Sequence, residues 1–370
     1  MSHYEYLQGL IDRGGIVTIP DGEYSVDKTL EVGDDTRIVC SPKAYIRLAD
    51  HANCPLLTTK FKGTDHPTKN VSVIGGTWDG NNVGQERDAY THPHYRWGQC
   101  LAFSCTEDLT LEGLTVKDPN SFAITLTDTT RFTVRDIRFD CNCKTGNQDG
   151  VHVNGFAKDG YICNIRGNTN DDMIALNSDE GITVSPFNDI ENIVIDGVYG
   201  SDYGWTAVRL LSRDAHLKNI TIRNIFGAYR YNAVSFTHWS GEPVNMGHMD
   251  NIIIENVFAT SCRKTGTGHG GLIWFQSNMS DIGTVIIRNM IRREADDMHN
   301  STCTMSIGHD VNIRRMILEN VYQTVTDDKP LIAAMKGAHV DHLTVNGEEK
   351  KVEDYIAEER IMESLMTIYD

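Results

Sequence analysis

Along most of the chain hydrophobic and polar residues alternate with a period of two, in short runs separated by Asn, Asp and Gly. The runs share a phrase: a polar residue, alternating aliphatics, a polar pair, then Val or Ile with an aromatic or small residue. It occurs as Asn70-Val71-Ser72-Val73, Asp108-Leu109-Thr110-Leu111 and Arg131-Phe132-Thr133-Val134. It returns as Asn192-Ile193-Val194-Ile195, Asn219-Ile220-Thr221-Ile222 and Asn251-Ile252-Ile253-Ile254, with fainter copies at Val285-Ile286-Ile287, Met316-Ile317-Leu318 and His342-Leu343-Thr344-Val345. Period two is the signature of a strand, because successive side chains leave the backbone on opposite faces. The copies return every roughly 23 to 38 residues, which suits one solenoid turn per unit.

A second strand precedes most copies: Leu101–Phe103, Ala123–Leu126, Val151–Val153, Met173–Leu176, Ala207–Leu211, Ala233–Thr237 and Leu272–Phe275. Two or more short strands per turn with no helix between them exclude a βαβ fold. The spacing also holds too few strands for propeller blades. The pattern predicts an all-β chain, a single-stranded right-handed parallel β-helix in which each coil buries its inward side chains against the next. The open ends of such a stack need covering. Residues 1–13, with Tyr4, Leu7, Leu10 and Ile11 at helical spacing, are expected to cap one end. Residues 352–369, with Val352, Tyr355, Ile356, Met362, Leu365 and Met366, are expected to cap the other. No Pro- or Ser-rich linker interrupts the chain, so residues 1–370 are read as one domain.

Composition narrows the function classes. A net charge of −17, with acid spread along the chain, gives no basic face for nucleic acid or an anionic membrane surface. No apolar run approaches the roughly 20 residues that cross a bilayer, so no membrane partner is expected. Nine cysteines occur and none forms a CxxC pair, which points to free thiols in a reducing compartment. The first residues lack a basic-then-apolar signal, so a cytoplasmic location is expected, or secretion if a leader has been removed. A homo-oligomer is compatible with the chain.

Three stretches resemble known carbohydrate-active β-helices. Gly14-Gly15-Ile16-Val17-Thr18-Ile19-Pro20-Asp21-Gly22-Glu23-Tyr24 resembles the first coil of pectin-lyase-like proteins, and Gly75-Gly76-Thr77-Trp78-Asp79-Gly80-Asn81 a second recurrent phrase of theirs. The middle resembles the polygalacturonases, glycoside hydrolase family 28, which carry Asn-x-Asp, then Asp-Asp one coil on, then Gly-His-Gly and Arg-x-Lys. Asn147-Gln148-Asp149-Gly150 matches the first element, and Asn170-Asp171-Asp172 with Met173-Ile174-Ala175-Leu176-Asn177-Ser178 the second. The later elements are replaced, by Gly204-Trp205-Thr206 and by Ser235-Phe236-Thr237 followed by His238-Trp239. Because the family's Arg-x-Lys is associated with the substrate carboxylate, its replacement implies a substrate other than plain polygalacturonan.

The residues themselves support the same chemistry. Asp149 and Asp171 lie 22 residues apart, close to one coil. Neighbouring strands run about 4.8 Å apart, so their side chains can share a pocket. Alternation would send Asp171 and Asp172 to opposite faces, and a β-bulge there would turn both outward. Crowded carboxylates cannot all ionise normally, which keeps one protonated as a general acid. Glycoside hydrolysis needs that acid and a second carboxylate for water, and a gap of about 6.5–9.5 Å gives inversion. The resemblance implies Asp171 as the acid, with Asp149 and Asp172 holding the water.

Asn147, His152, Trp205, Arg209, His238, Trp239 and Trp97 are the candidates for substrate binding, with His152, Trp205 and Arg209 expected to point outward. The polar, aromatic stretch from Asp79 to Gly98 is read as a cleft wall or an oligomer contact. Residues 261–270 and 292–302 are read as the opposite wall. His92-x-His94 has no carboxylate or thiol beside it, so no metal or other cofactor is expected. The expected function is an inverting glycoside hydrolase acting on an oligosaccharide. The alternatives are a lyase or epimerase, with Arg209 as the base and calcium held by acids, and a non-catalytic carbohydrate-binding β-helix.

Overall fold

The computed structural model describes residues 2–60, 65–86, 98–178, 189–201, 204–238, 246–261, 271–293, 303–324 and 330–356. It is a parallel β-helix: among the described residues the strands of successive coils pair in parallel, and the last hairpin is antiparallel. The chain divides into two compact units, Met1–Ala175 with Glu180–Asn188, and Leu176–Asp179 with Asp189–Asp370.

In the first unit the helix Tyr4–Ile11 covers the start of the stack. Leu7 and Ile11 are buried. The Gln8 side chain satisfies both backbone groups of Glu31, donating from Nε2 to its carbonyl at 3.0 Å and accepting from its N–H at 2.9 Å. An amide side chain thus occupies a strand edge that would otherwise be open. Farther along, Leu101–Glu112, Ile124–Arg135 and Val151–Asn168 lie in parallel register, with Leu101, Ile124 and Val151 in one row. In these coils the short strand runs straight on as one continuous strand, whereas Thr206–Leu211 and His216–Tyr229, or Ile273–Phe275 and Met279–Arg293, remain two strands joined by a turn, as expected.

In the second unit the phrase stacks as its spacing predicts. Ile193, Ile220, Ile252, Val285, Met316 and Leu343 form one inward row across six coils, all buried. Val208, Val234, Ile273, Met305 and Ile332 form another, and Phe236 stacks on Phe275 with centroids 4.2 Å apart.

Where Asn opens the phrase, it makes the corner. Asn192, Asn219 and Asn251 have φ of 58°, 56° and 55°, a left-handed conformation that Asn tolerates better than most residues. Their side chains form a ladder, Asn219 Nδ2 donating to Asn192 Oδ1 at 2.9 Å and Asn251 Nδ2 to Asn219 Oδ1 at 2.8 Å.

The stack ends in an antiparallel hairpin, Leu343–Val345 against Glu348–Lys350, turned by Asn346-Gly347, both with positive φ. Val352–Tyr355 follows as a 3₁₀ turn with Val352 fully buried, and Ile356 bridges to Ala334. The rest of the expected C-terminal helix lies outside the described residues. The cysteines at 40, 54, 100, 105, 141, 143, 163 and 303 are free thiols.

Candidate active site

The three aspartates lie in the first unit, at the entrance to two successive strands. The main chain fixes its register. Ala123 N–H donates to the Asp149 carbonyl at 2.8 Å, and Gly150 N–H donates to the Asp172 carbonyl at 2.9 Å. Phe122, Asp149 and Asp172 therefore hold equivalent places on three successive rungs. The neighbour of Asp149 across the ladder is Asp172, and Asp171 stands one residue aside. Close approach requires Gly150, since a Cβ there would lie 2.4 Å from the Met173 carbonyl oxygen and 2.5 Å from the Phe139 ring.

Asp171 and Asp172 are not placed by a β-bulge. They sit in the turn before the strand Ile174–Asn177, where the alternation of a strand does not apply. The Asp171 carboxylate accepts the Asp172 N–H at 3.1 Å, and the Thr169 hydroxyl donates to the Asp171 carbonyl at 2.6 Å. Asp172 is buried and Asp171 half-buried. A bulge does occur nearby, where Thr127 and Thr129 face Asn154 and Ala157, so that Val151–Asn168 carries one residue more than its neighbour.

His152 does not line an open cleft. It is 1% exposed, with its ring stacked on Phe122 at 3.7 Å between centroids and 12° between planes. Its Nδ1 lies 2.5 Å from Asp149 Oδ2 and its Nε2 2.8 Å from Asn154 Oδ1. Alternation correctly sends it away from the core, but the aromatic ring of the preceding rung covers that face. Around the acids, Asn147 has a φ of 53° in the turn that delivers Asp149. Gln148 donates to the Pro119 carbonyl at 2.7 Å and Asn170 to the Thr145 carbonyl at 2.7 Å. Buried polar side chains are costly unless bonded, and these bonds pin both acidic turns to the coil below.

The remaining candidates belong to the second unit or lie outside the described residues. Trp205 is half-buried, tilted against Tyr231 at 4.7 Å, with the Arg230 guanidinium 5.9 Å over its ring. Arg209 is half-exposed and donates from Nε to the Thr237 hydroxyl at 3.1 Å. His238 is buried, with Nε2 2.7 Å from the Ser277 carbonyl oxygen, which ties its ring to the backbone rather than to an open surface. Trp97, Trp239, His92, His94 and the 262–270 and 294–302 stretches lie outside the described residues. Among the described residues no group of three or more His, Cys, Asp or Glu is arranged to hold a metal ion. Phe122 and Asn154 were not singled out from the sequence. The signal for Asn154 was its place two residues after His152 on the same strand face, and Phe122 becomes visible only once the rungs are in register.

Comparison with known proteins agrees with this reading of fold and motif. The family model for glycosyl hydrolases family 28 matches residues 60–188, a stretch that contains all three aspartates. No curated protein matches the chain. Among solved structures it is similar to the endo-xylogalacturonan hydrolase from Aspergillus tubingensis, at 13% identity over 97% of this chain and 95% of that one, TM-score 0.63. It is also similar to the family 28 exopolygalacturonase of Yersinia enterocolitica, at 13% identity over 92% and 76%, TM-score 0.60. A third is PfbA, a surface adhesin of Streptococcus pneumoniae, at 13% identity over 95% and 96%, TM-score 0.58. At such identities these likenesses speak for the fold alone. The chain is a parallel β-helix that resembles family 28 over residues 60–188.

Proposed function

We propose that the protein is an inverting glycoside hydrolase in which Asp149, Asp171 and Asp172 supply the acid and the base. The observation that carries this reading is the register of the rungs. Asp149 and Asp172 occupy equivalent positions on neighbouring coils, and Asp171 follows from the same turn. Hydrolysis of a glycosidic bond asks for one carboxylic acid to protonate the leaving oxygen and one carboxylate to draw a proton from water. Asp171 is the most exposed of the three and suits the acid that meets the glycosidic oxygen. The buried Asp149 and Asp172 suit the water.

The substrate we propose is a neutral sugar, or a uronate held by other means. Where the family carries a cation pair, this chain has Ser235 and Thr237, both buried, and Thr237 donates to the Leu210 carbonyl at 3.1 Å. Arg209, paired in register with Ser235, is the described cation nearest that position in the ladder.

A panel of chromogenic glycosides and pectic oligosaccharides tests the proposal, with NMR of the first product formed. Hydrolysis with inversion at the anomeric carbon is the expected result. An unsaturated product absorbing in the ultraviolet would move the protein to the lyases, and tight glycan binding without turnover would make it a binding module.

A further inference from the structure

The two ring nitrogens of His152 both face oxygen atoms, in a place closed to solvent. Asn154 Oδ1 can only accept, so Nε2 carries a proton. One more proton lies on the 2.5 Å line between Nδ1 and Asp149 Oδ2. In the reference state an imidazole holds a proton more tightly than a carboxylate, which favours the ring as its place.

We propose that His152 is a positioning residue: a buried imidazolium whose charge keeps Asp149 ionised beside Asp172. The proposal rests on the hydrolase reading for its purpose, though not for its geometry. Two carboxylates on neighbouring rungs disfavour each other's charge, and one would ordinarily stay protonated. An imidazolium bonded to Asp149 cancels one of those charges, leaving Asp172 beside a neutral pair. The flat Phe122 ring at 3.7 Å fixes the plane of the imidazole, presents its π face to the cation and excludes water from that side.

The other ionisable groups on the elements packed around His152 are Asp171 and Asp172 in the turn after its strand. Asp128, Arg131 and Arg135 lie on the neighbouring strand beyond Thr127, and Lys158, Asp159, Tyr161, Cys163 and Arg166 on its own strand beyond the bulge. The strand Ile174–Asn177 has none. On these elements His152 is thus the cation on the acidic side of the bulge.

NMR of the intact chain with 15N-labelled histidine tests this directly, in the parent and in His152→Gln and Asp149→Asn. The parent should show one ring protonated on both nitrogens at neutral pH, with a strongly low-field Nδ1 proton that vanishes in both variants. A His152 ring carrying a single proton at neutral pH overturns the proposal, and the parent spectrum decides this even if a variant does not fold.

On the glycoside chosen by the turnover screen, His152→Gln should move the acidic limb of kcat/KM upward by about one pH unit or more, one unit being a tenfold change in the ionised fraction. A rate lowered equally at every pH, with the limb in place, also overturns it. If the low-field proton is present and no glycoside is turned over, the charged pair stands and the hydrolase reading falls.

Discussion

The strand Val151–Asn168 and its neighbour Ile124–Arg135 are each two different surfaces joined end to end. Both halves share one parallel ladder and one inward row of aliphatics, Ile124, Leu126 and Val134 on one strand and Val151, Val153 and Ile162 on the other. They differ on the outer face. In the first half that face carries Thr125, Thr127, His152 and Asn154, all buried. In the second it carries Arg131, Arg135, Asp159 and Tyr161, all exposed.

Exposed charges cost little to keep, and surface ion pairs contribute little. A buried polar row is different, because well-packed apolar residues of similar volume would serve the fold as well or better. Stability therefore explains the second half and leaves the first unexplained. The chemistry we propose at Asp149 and Asp172 would account for the first.

The contrast can be broken by substitution. The largest stability effect should come from Phe122→Ala, which opens a cavity over His152 in the covered half and should cost about 3–5 kcal/mol in chemical denaturation. Retention of parental stability would mean that the ring covers nothing. Gly150→Ala should come next, at about 1–3 kcal/mol, because the added methyl collides with the Met173 carbonyl and the Phe139 ring of the adjoining coil.

Arg131→Ala should do least. Arg131 bonds Asp108 at 2.8 Å and Glu107 at 2.9 Å, and all three side chains are substantially exposed. Hydrogen bonds from Arg131 hold both carboxyl groups below their usual range. A depressed carboxyl pKa adds stability above the ordinary carboxylate value, and this is lost as pH falls through the folded value. The small difference in melting temperature between parent and Arg131→Ala should therefore be present at neutral pH and fade on acidification and in high salt. A difference that grows toward acid pH would contradict the assignment.

How much of this is legible without coordinates follows from the same contrast. The inward rows are plain in the sequence, because each aliphatic sits at a fixed offset from a left-handed Asn, as at Asn192, Asn219 and Asn251. The acidic residues are legible as a motif one coil apart. Their pairing is offset by one residue from the count: spacing sets Asp171 against Asp149, whereas the ladder sets Asp172 there. Turn residues lengthen the count without entering the ladder, so distance along the chain cannot fix register to a single residue. Burial of His152 is likewise out of reach. Alternation says which side of the strand a residue takes, and only the neighbouring rung, here Phe122, says whether that side is covered.

The most direct test of the central claim sets Asp172, on the rung that follows the covered half, against Asp108, on the rung that precedes the exposed half. Asp172→Asn and Asp108→Asn, both confirmed as folded, are assayed on the glycoside that the parent hydrolyses best. A hydrolytic site in the covered half predicts that Asp172→Asn loses kcat by roughly 10²–10⁴-fold, the usual contribution of a positioned acid or base, while Asp108→Asn keeps the parental rate. Equal rates in the two variants would contradict it.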